Sequence, residues 1–431
     1  MSKLTCYGGA GSATGANFLL ELNSKKILID CGMEQGPGGS EHNKKPFAYD
    51  PKGIDILFVT HAHIDHIGLI PKLVKGGFRG QVISTPETRE ISELLLLDSA
   101  KIQEGGERIY GLHDVSESLK FWKTIPYHQK KDFEGFSVEL FDAGHVLGSS
   151  MVKLSTPKGQ MLFTGDIGNS PSPLLESVEE VAGIDYLLME SVYGDRNHER
   201  REERVARFEK IVEESIARGG ALLIPAFSLE RTQEILMLLD HMFEEKKMKS
   251  APVYLDSPLA LRITPIFEKS LGLDRFNFTQ LTKIASIYES QDIWGTDGAK
   301  IIIAGSGMST AGRILGHEER YLPDPNSTIL LMGYQAVGTL GRQIAEGVTD
   351  IVIDENRLKI RAKVENISGF SGHADSDALV SFIEKSASTL KKVLVAMGEP
   401  RSQIFLAQRL RDELNLDAVA TEEGKSYELD F

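Results

Sequence analysis

Three histidines and one aspartate fall within six consecutive positions of this chain of 431 residues, and they constrain its fold more than any other feature. They are His61, His63, Asp65 and His66. An apolar stretch at 54–60 that predicts a strand precedes them, and a stretch at 68–77 that predicts a helix follows. A histidine-rich surface loop would have polar flanks instead. Because neutral imidazole and carboxylate groups are the usual ligands of zinc and similar divalent ions, the cluster predicts a metal site where a strand ends.

The spacing inside the cluster favours two adjacent metal ions over one. One residue separates His61 from His63, so both side chains can point the same way from an extended strand end. Asp65 and His66 follow where the chain turns into the predicted helix, so they face another side of the same pocket. We therefore expect the two pairs to serve different ions.

Three more candidate ligands lie where a predicted strand runs into a glycine. They are Asp30 in LIDCG, His145 in DAGHVLGS and Asp166 in FTGDIG. Glycine lets other backbone approach closely at such a junction. A single aspartate after a strand is usually only a turn residue, but three acidic or imidazole groups in the same setting predict that they complete the metal site.

The composition narrows the class of protein. Of the residues, 41% are hydrophobic and 26% are charged, and no apolar run approaches the ~20 residues that span a bilayer, so we expect no membrane partner. Two cysteines, Cys6 and Cys31, cannot form a disulfide framework, which favours a reducing cytoplasm. The net charge of −14 argues against a protein that coats nucleic acid with its whole surface, but it leaves room for a cleft made positive by metal ions.

The chain divides into three stretches by its pattern of elements. Residues 1–195 read as short strands with few helices. Residues 196–354 alternate long charged helices with apolar strands, which is typical of a parallel α/β sheet. Residues 355–431 return to the first kind of pattern. Neither boundary has a flexible linker, so we predict that 196–354 is a domain inserted into a discontinuous first domain.

Motifs spread over the whole chain resemble those of one family. They are THAHIDHIG, DAGHVLGS, GDIG, MESVYGDR, PAFSLERTQE, DSPLA, YQAVGTLGR and FSGHAD. The set resembles the metallo-β-lactamase-fold hydrolases and, more narrowly, their β-CASP nucleases, which include cleavage-and-polyadenylation-factor-like ribonucleases and RNase J. The resemblance implies a mixed α+β and α/β fold, a metallo-β-lactamase αββα sandwich with an inserted parallel α/β β-CASP domain.

The resemblance also implies a role for each ligand, with two zinc ions that share one aspartate. The implied ligands of the first ion are His61, His63, His145 and Asp166. Those of the second ion are Asp65, His66 and the shared Asp166. Asp30 would bind neither ion and would orient the ligands from behind.

One position departs from the family pattern. Related ribonucleases carry a histidine after a late strand as the last ligand of the second metal, and DNA-acting relatives typically carry valine there. This chain has Met397. A thioether suits softer ions than zinc, so we expect Met397 to pack as an apolar side chain rather than to bind metal. The second ion would then be held more weakly than the first.

Catalytic roles follow from the resemblance and from the chemistry of phosphoryl transfer. Asp65 would orient the attacking hydroxide as well as bind metal. His373 in FSGHAD would give a proton to the leaving oxygen, and Glu190 in MESVYGDR would hold the imidazole of His373. A further metal ligand or a core histidine stays an alternative for His373.

Five polar side chains of the second domain are candidate contacts to substrate phosphates, although each also fits a helix cap or a surface position. They are Arg231, Ser257, Ser306, Arg313 and Ser371. We expect a metal-dependent ribonuclease that hydrolyses phosphodiester bonds of single-stranded RNA, as an endonuclease, a 5′-exonuclease or both, in RNA processing or decay. A DNA nuclease of the same fold and a catalytically attenuated RNA-binding subunit are the alternatives. A homodimer stays open as the assembly.

Overall fold

The computed structural model describes residues 2–36, 38–103, 108–272 and 276–431. Contacts within the chain divide it into two compact units. Unit 1 comprises Met1–Asn197 and His373–Phe431, and unit 2 comprises His198–Gly372. Among the described residues, no helix combines the length and the apolar character needed to cross a bilayer.

The first part of unit 1 is rich in strands. Its elements are β1 (Ser2–Gly8), β2 (Asn17–Leu22), β3 (Lys25–Ile29), α1 (Gly39–Lys44), β4 (Ile56–Phe58), α2 (Ile64–Ile67), α3 (Ile70–Lys75), β5 (Gln81–Ser84), α4 (Pro86–Ile102), α5 (Leu112–Leu119), β6 (Trp122–Thr124), β7 (Lys131–Phe133), β8 (Phe136–Asp142), β9 (Ser150–Thr156), β10 (Gly159–Phe163) and β11 (Tyr186–Met189).

Unit 2 alternates helices and strands, as its sequence pattern predicts. Its elements are α6 (Arg201–Arg218), β12 (Ala221–Pro225), α7 (Arg231–Asp240), β13 (Val253–Asp256), α8 (Pro258–Leu271), β14 (Leu281–Lys283), α9 (Ile287–Asp292), β15 (Lys300–Ala304), α10 (Arg313–Tyr321), β16 (Thr328–Met332), α11 (Leu340–Ala345), β17 (Asp350–Ile353), β18 (Asn356–Lys359) and β19 (Lys363–Ile367). The chain then completes unit 1 with α12 (Ser376–Glu384), β20 (Lys392–Val395), α13 (Pro400–Leu414), β21 (Ala418–Ala420) and β22 (Ser426–Leu429).

Unit 1 is a sandwich of two seven-stranded sheets covered by helices on both outer faces. The strand orders are β22-β1-β2-β3-β4-β5-β6 and β21-β20-β11-β10-β9-β8-β7. Alternate residues of one strand face different layers: Ile27 and Ile29 lie in the core between the sheets, whereas Leu28 packs in the cluster that includes α3, α4 and α5. A third apolar cluster joins the second sheet to α12 and α13. The predicted αββα sandwich is confirmed.

Unit 2 contains a six-stranded sheet in the order β14-β13-β15-β12-β16-β19, with every neighbouring pair parallel. The predicted parallel α/β insertion is therefore present. The second boundary between the units falls at 372/373 rather than at the predicted 354/355. The reason is that β19 pairs with β16 in unit 2, a pairing between distant segments that local sequence patterns do not reveal.

The parallel strands of unit 1 gather the predicted site residues at their carboxyl ends. β3 and β4 run parallel in one sheet, and Asp30 and His61 follow them. In the other sheet β10, β11 and β20 run parallel, and Asp166, Glu190 and Met397 follow them. The carboxyl ends of parallel strands meet at one edge of their sheet, so each sheet brings its own set of polar groups together.

Candidate active site

Backbone contacts hold the segment with Asp65 and His66 against the end of β3. Ala16 N donates to the carbonyl of Asp65 at 2.9 Å, and Cys31 N donates to that of His66 at 2.8 Å. Gly32 lies so close that a Cβ there would stand 1.5 Å from the Asp65 carbonyl oxygen, so no other residue fits. The short α2 turn is therefore fixed before any ligand binds.

Three histidines and one aspartate converge in unit 1. Nδ1 of His63 lies 3.0 Å from Nε2 of His61 and 3.2 Å from Nε2 of His145. Oδ2 of Asp166 lies 3.4 Å from Nε2 of His61 and 3.6 Å from Nε2 of His145. One ligand atom from each of the four lies within 4.8 Å of every other. Burial, aided by the neighbouring His66, lowers the pKa of His61 well below its usual value, which favours the neutral form that binds metal.

Asp30 and Thr60 fix which nitrogen each imidazole presents. Asp30 accepts hydrogen bonds from Nδ1 of His66 at 2.7 Å and from the amide and hydroxyl of Thr60, both at 2.8 Å. Because the Thr60 hydroxyl donates to Asp30, it can only accept from Nδ1 of His61, at 3.1 Å. Both Nδ1 atoms then carry protons, so Nε2 is the nitrogen of His61 and of His66 that faces the cluster.

Two buried atoms at the centre of the cluster have no hydrogen-bond partner among the described residues. They are Nε2 of His66 and Oδ1 of Asp166. Burial opposes the charged form of His66, but Asp166 and Asp30 together raise its pKa well above its usual value. A divalent cation would satisfy the same carboxylates and take the place of that proton at Nε2. The residues therefore fit a metal ion.

Asp65 and His66 form a sparser half of the cluster than the three other histidines. Oδ2 of Asp65 lies 4.0 Å from Nε2 of His66, which lies 3.4 Å from Oδ2 of Asp166. Burial raises the pKa of Asp65 to about 6, with His66 acting in the opposite direction. Neither Asp65 nor His66 enters the two tight groups of metal-ligating atoms found among the described residues.

His373 and Glu190 stand beside the cluster as a hydrogen-bonded pair. Nδ1 of His373 lies 3.2 Å from both carboxylate oxygens of Glu190 and 3.8 Å from Oδ2 of Asp166. The Ile167 amide donates to Glu190 at 2.6 Å and fixes the carboxylate. Burial opposes the charge on His373, but Glu190 and Asp166 outweigh it and raise its pKa to about 9. The side chain of His373 is 20% exposed, so solvent reaches part of the imidazole.

Met397 faces the apolar core. It follows β20 with φ of 42°, and its amide donates to the carbonyl of Gly9 at 2.6 Å. A Cβ on Gly9 would stand 2.4 Å from its sulfur, and the side chain belongs to the core between the sheets. Met397 also borders a small cavity that Asp30 and His66 line. It therefore occupies a position next to the sparse half of the cluster without adding a nitrogen or oxygen ligand.

The predicted phosphate contacts lie in unit 2, and most of them already bind other groups of that unit. The hydroxyl of Ser257 caps α8 by accepting from the Ala260 amide at 3.3 Å. The hydroxyl of Ser306 accepts from the Thr310 amide at 2.9 Å and closes its own loop. Ser371 is 6% exposed.

The two predicted arginine contacts are also engaged within unit 2. Arg313 donates to Asp256 at 2.5 Å and to the Ser286 carbonyl at 2.8 Å. Arg231 is buried, pairs with Glu234, and lies 6.0 Å from the ring centre of Phe370. Both guanidinium groups therefore have a role in the fold that the sequence pattern did not reveal.

Three family models match successive parts of the chain. The model described as Metallo-beta-lactamase superfamily matches residues 14–215, and Beta-Casp domain matches 232–344. The model described as Zn-dependent metallo-hydrolase RNA specificity domain matches 357–421. Between them they include every residue of the cluster in unit 1.

Curated relatives cover nearly the whole chain. Ribonuclease TTHA0252 of Thermus thermophilus is 32% identical over 95% of this chain and 96% of its own length. The transcription termination factors FttA of Pyrococcus abyssi and Pyrococcus horikoshii are 31% and 30% identical over 97% of this chain, and over 70% and 69% of their own lengths. A crystal structure of a protein of unknown function from Enterococcus faecalis V583 shares the fold, with a TM-score of 0.60 over 99% of both chains and 13% identity. The chain therefore belongs to the β-CASP family of the metallo-beta-lactamase superfamily.

Proposed function

We propose that this protein is a metal-dependent ribonuclease that hydrolyses phosphodiester bonds of single-stranded RNA during RNA processing or decay. The convergent ligand set around Asp166, with its two unpartnered buried atoms, is the observation that carries the proposal. The match to a ribonuclease over 95% of the chain and the RNA specificity domain at 357–421 support RNA as the substrate. The two cysteines are buried free thiols, which fits the reducing cytoplasm that we propose as its compartment.

Zinc is the metal we propose for the first site. His61, His63, His145 and Asp166 would hold it, and nitrogen with oxygen ligands suits zinc. A second ion would rest on Asp65, His66 and the shared Asp166. Because Met397 adds no hard ligand there, we propose that this ion binds more weakly. When bound, such ions acidify water and stabilise the negative charge that grows on phosphate oxygens.

The chain's own residues would then orient water and move one proton. The carboxylate of Asp65 would accept a hydrogen bond from the attacking water and aim it at phosphorus. Glu190 holds Nδ1 of His373, so Nε2 of His373 would carry the proton that passes to the leaving oxygen. Asp30 and Thr60 would keep the two imidazoles they contact in the form that binds metal.

The test compares single-stranded RNA and DNA of the same sequence, each labelled at either end, with protein whose metal content has been measured. We expect RNA cleavage and at least one zinc per chain, and both should fall in the Asp166→Ala and His63→Ala variants. Faster cleavage of DNA would replace the proposal with a DNA nuclease. Tight RNA binding without cleavage by the zinc-loaded protein would replace it with an RNA-binding subunit. The length of the first labelled product distinguishes cleavage inside the RNA from cleavage at its 5′ end.

A further inference from the structure

Exposed apolar side chains of unit 2 concentrate at one edge of its parallel sheet. Among the described residues of this unit, the large exposed apolar side chains are Phe227, Ile287, Tyr288, Val337, Val348 and Val352. Phe227 follows β12 closely, Ile287 and Tyr288 begin α9 after β14, and Val337 lies in the loop between β16 and α11. All four belong to segments that leave the carboxyl ends of parallel strands. In open α/β sheets this edge is the usual place for ligands.

Phe227 is exposed yet rigidly held. A Cβ on Gly307 would stand 2.8 Å from its ring, so the ring rests directly on glycine backbone. The hydroxyl and amide of Thr232 donate to the Phe227 carbonyl at 2.7 and 3.2 Å. Phe227 as a residue is nevertheless 37% exposed. One part of the ring is thus covered by the chain and another part is open to a flat partner.

The loop under the ring is fixed from a second side. The side-chain amide of Gln335 donates to the Gly307 carbonyl at 3.0 Å. The Gly341 amide donates to the Met308 carbonyl at 3.1 Å. Because neighbouring loops hold both residues of this segment, a ligand that stacks on Phe227 would meet a preformed surface and lose little loop entropy on binding.

Two hydroxyls stand beside this surface. Ser228 Oγ and Ser257 Oγ are 3.0 Å apart. A Cβ on Gly305 would stand 3.7 and 3.8 Å from these oxygens, so glycine leaves the space in front of them open. The pair uses one of its two hydroxyl protons between them, and no described residue accepts the other. That proton can be donated to a phosphate or sugar oxygen.

We propose that Phe227, Gly307, Ser228 and Ser257 form a subsite for one nucleotide of single-stranded RNA, here called the base shelf. The nucleobase stacks on the Phe227 ring, and a backbone oxygen of the same or the adjacent nucleotide accepts from the serine pair. An aromatic ring on backbone, next to a free hydroxyl proton, matches the two faces of a nucleotide: a flat apolar base and a polar backbone. The base shelf takes RNA and so rests on the proposed function, but it adds a contact that nothing in the metal cluster supplies.

The experiment measures the affinity of single-stranded RNA by fluorescence anisotropy, with EDTA present so that the metal-dependent cleavage cannot run. Phe227→Ala and Phe227→Leu should weaken binding about tenfold or more, because stacking on an aromatic side chain contributes that much per base. Phe227→Trp should keep the parent affinity, since it keeps a flat ring. Val352→Ala, an exposed apolar change on β17 in the same unit, is the matched control and should have no effect. Equal affinity of the parent and Phe227→Leu would overturn the proposal.

A second arm locates the base. A series of RNAs lacks one base at successive positions, and each is measured with the parent and with Phe227→Ala. At the position that meets the base shelf, removing the base should cost the parent about tenfold and the variant almost nothing, because one contact cannot be lost twice. If removing the base weakens binding equally in the parent and in Phe227→Ala at every position, the proposal is overturned.

The binding assay also separates this proposal from the proposed function. If the parent binds through Phe227 but cleaves no RNA, the base shelf stands and the ribonuclease proposal fails. If the parent cleaves RNA and the Phe227 variants bind RNA as tightly as the parent, the ribonuclease proposal stands and the base shelf fails. In active protein, Phe227→Leu should raise KM for RNA about tenfold and leave kcat nearly unchanged, since stacking on Phe227 would stabilise the bound RNA and its transition state equally.

Discussion

Two buried aspartate–histidine pairs, one in each unit, look alike in composition and differ in what they leave unsatisfied. In unit 2, His317 Nε2 donates to Asp256 at 2.8 Å, and Trp294 donates to His317 Nδ1 at 3.2 Å. Asp256 also accepts from Arg313 and Ser290. Both imidazole nitrogens and both carboxylate oxygens have protein partners, so this pair is complete in itself.

In unit 1, His66 Nδ1 donates to Asp30 at 2.7 Å, but Nε2 faces Asp166 and has no hydrogen-bond partner among the residues described. The two pairs share residue types and burial, so neither property distinguishes a ligand from a structural group. What distinguishes them is the hydrogen-bonding capacity that the fold leaves unused. A cation would complete the cluster in unit 1, whereas the Asp256–His317 pair of unit 2 is satisfied by protein groups alone.

The largest expected effect is that of Asp166→Ala, which removes the carboxylate at the centre of the unit 1 cluster. We expect bound zinc to fall to trace levels and RNA cleavage to fall by about 10³-fold or more, since the variant loses both a ligand and the charge that gathers the histidines. Metal analysis and cleavage rates check this, with Asp297→Ala at an exposed position of unit 2 as control. If Asp166→Ala binds as much metal as the parent, the unit 1 cluster is a structural group like the Asp256–His317 pair of unit 2.

The complementary change is His317→Leu, in the pair that we regard as complete. It leaves a buried carboxylate and the Trp294 donor without their partner, so we expect the free energy of unfolding to drop by about 3 kcal/mol. Metal content per folded chain should stay at the parent level. Denaturant unfolding and metal analysis of the same sample check both parts, and lost metal with unchanged stability would reverse the roles assigned to the two pairs.

His373 lies between these extremes, because Glu190 holds its Nδ1 while its side chain is 20% exposed. His373→Ala should slow cleavage about 10²-fold, the usual contribution of a general acid, and should leave zinc content unchanged. A leaving group that needs no proton, such as p-nitrophenolate, should restore most of the rate. Loss of zinc in this variant would make His373 a ligand, the alternative that the sequence left open.

The structure brings together His61, His63, His145 and Asp166, which the sequence pattern groups because each follows a predicted strand. Strand ends are readable from local patterns, whereas metal binding by these residues stays a prediction. The sequence pattern did not predict Thr60, although Thr60 directly precedes His61, because a threonine after a strand carries no signal of its own. Its role appears only once Asp30 lies across from it, 2.8 Å away. The pairing of Asp256 with His317 was missed for the same reason, since 61 positions separate them. Contacts between distant segments decide both cases.

Glu318 directly follows the histidine of the complete pair in unit 2 but has a carboxylate oxygen without a partner in the described part of the chain, and measuring stability against pH tests its effect. Burial raises the pKa of Glu318 to about 7, and its Oε2 has no partner among the described residues. Because the folded state holds the proton more tightly than the unfolded state, stability should decline as pH rises from about 5 to about 7 and level off above. Glu318→Gln should remove this decline. The difference in free energy of unfolding between the variant and the parent should therefore be about 2 kcal/mol more favourable to the variant at pH 8 than at pH 5. Denaturant unfolding at both pH values checks it, with Glu319→Gln as control, and an equal effect at both would contradict it.

The smallest expected effect concerns the sparse half of the unit 1 cluster. Met397→His would place an imidazole beside the cavity that Asp30 and His66 line, and histidine tolerates the φ of 42° at this position. We expect the affinity for a second zinc ion to rise about tenfold, which is the lower end of what a supporting group contributes to metal binding. Titration with zinc after the first site is filled measures this directly, and Met397→Leu should behave as the parent does. If Met397→His leaves the second affinity unchanged, the weakness of that site comes from the 4.0 Å spacing of Asp65 and His66 and not from the missing nitrogen.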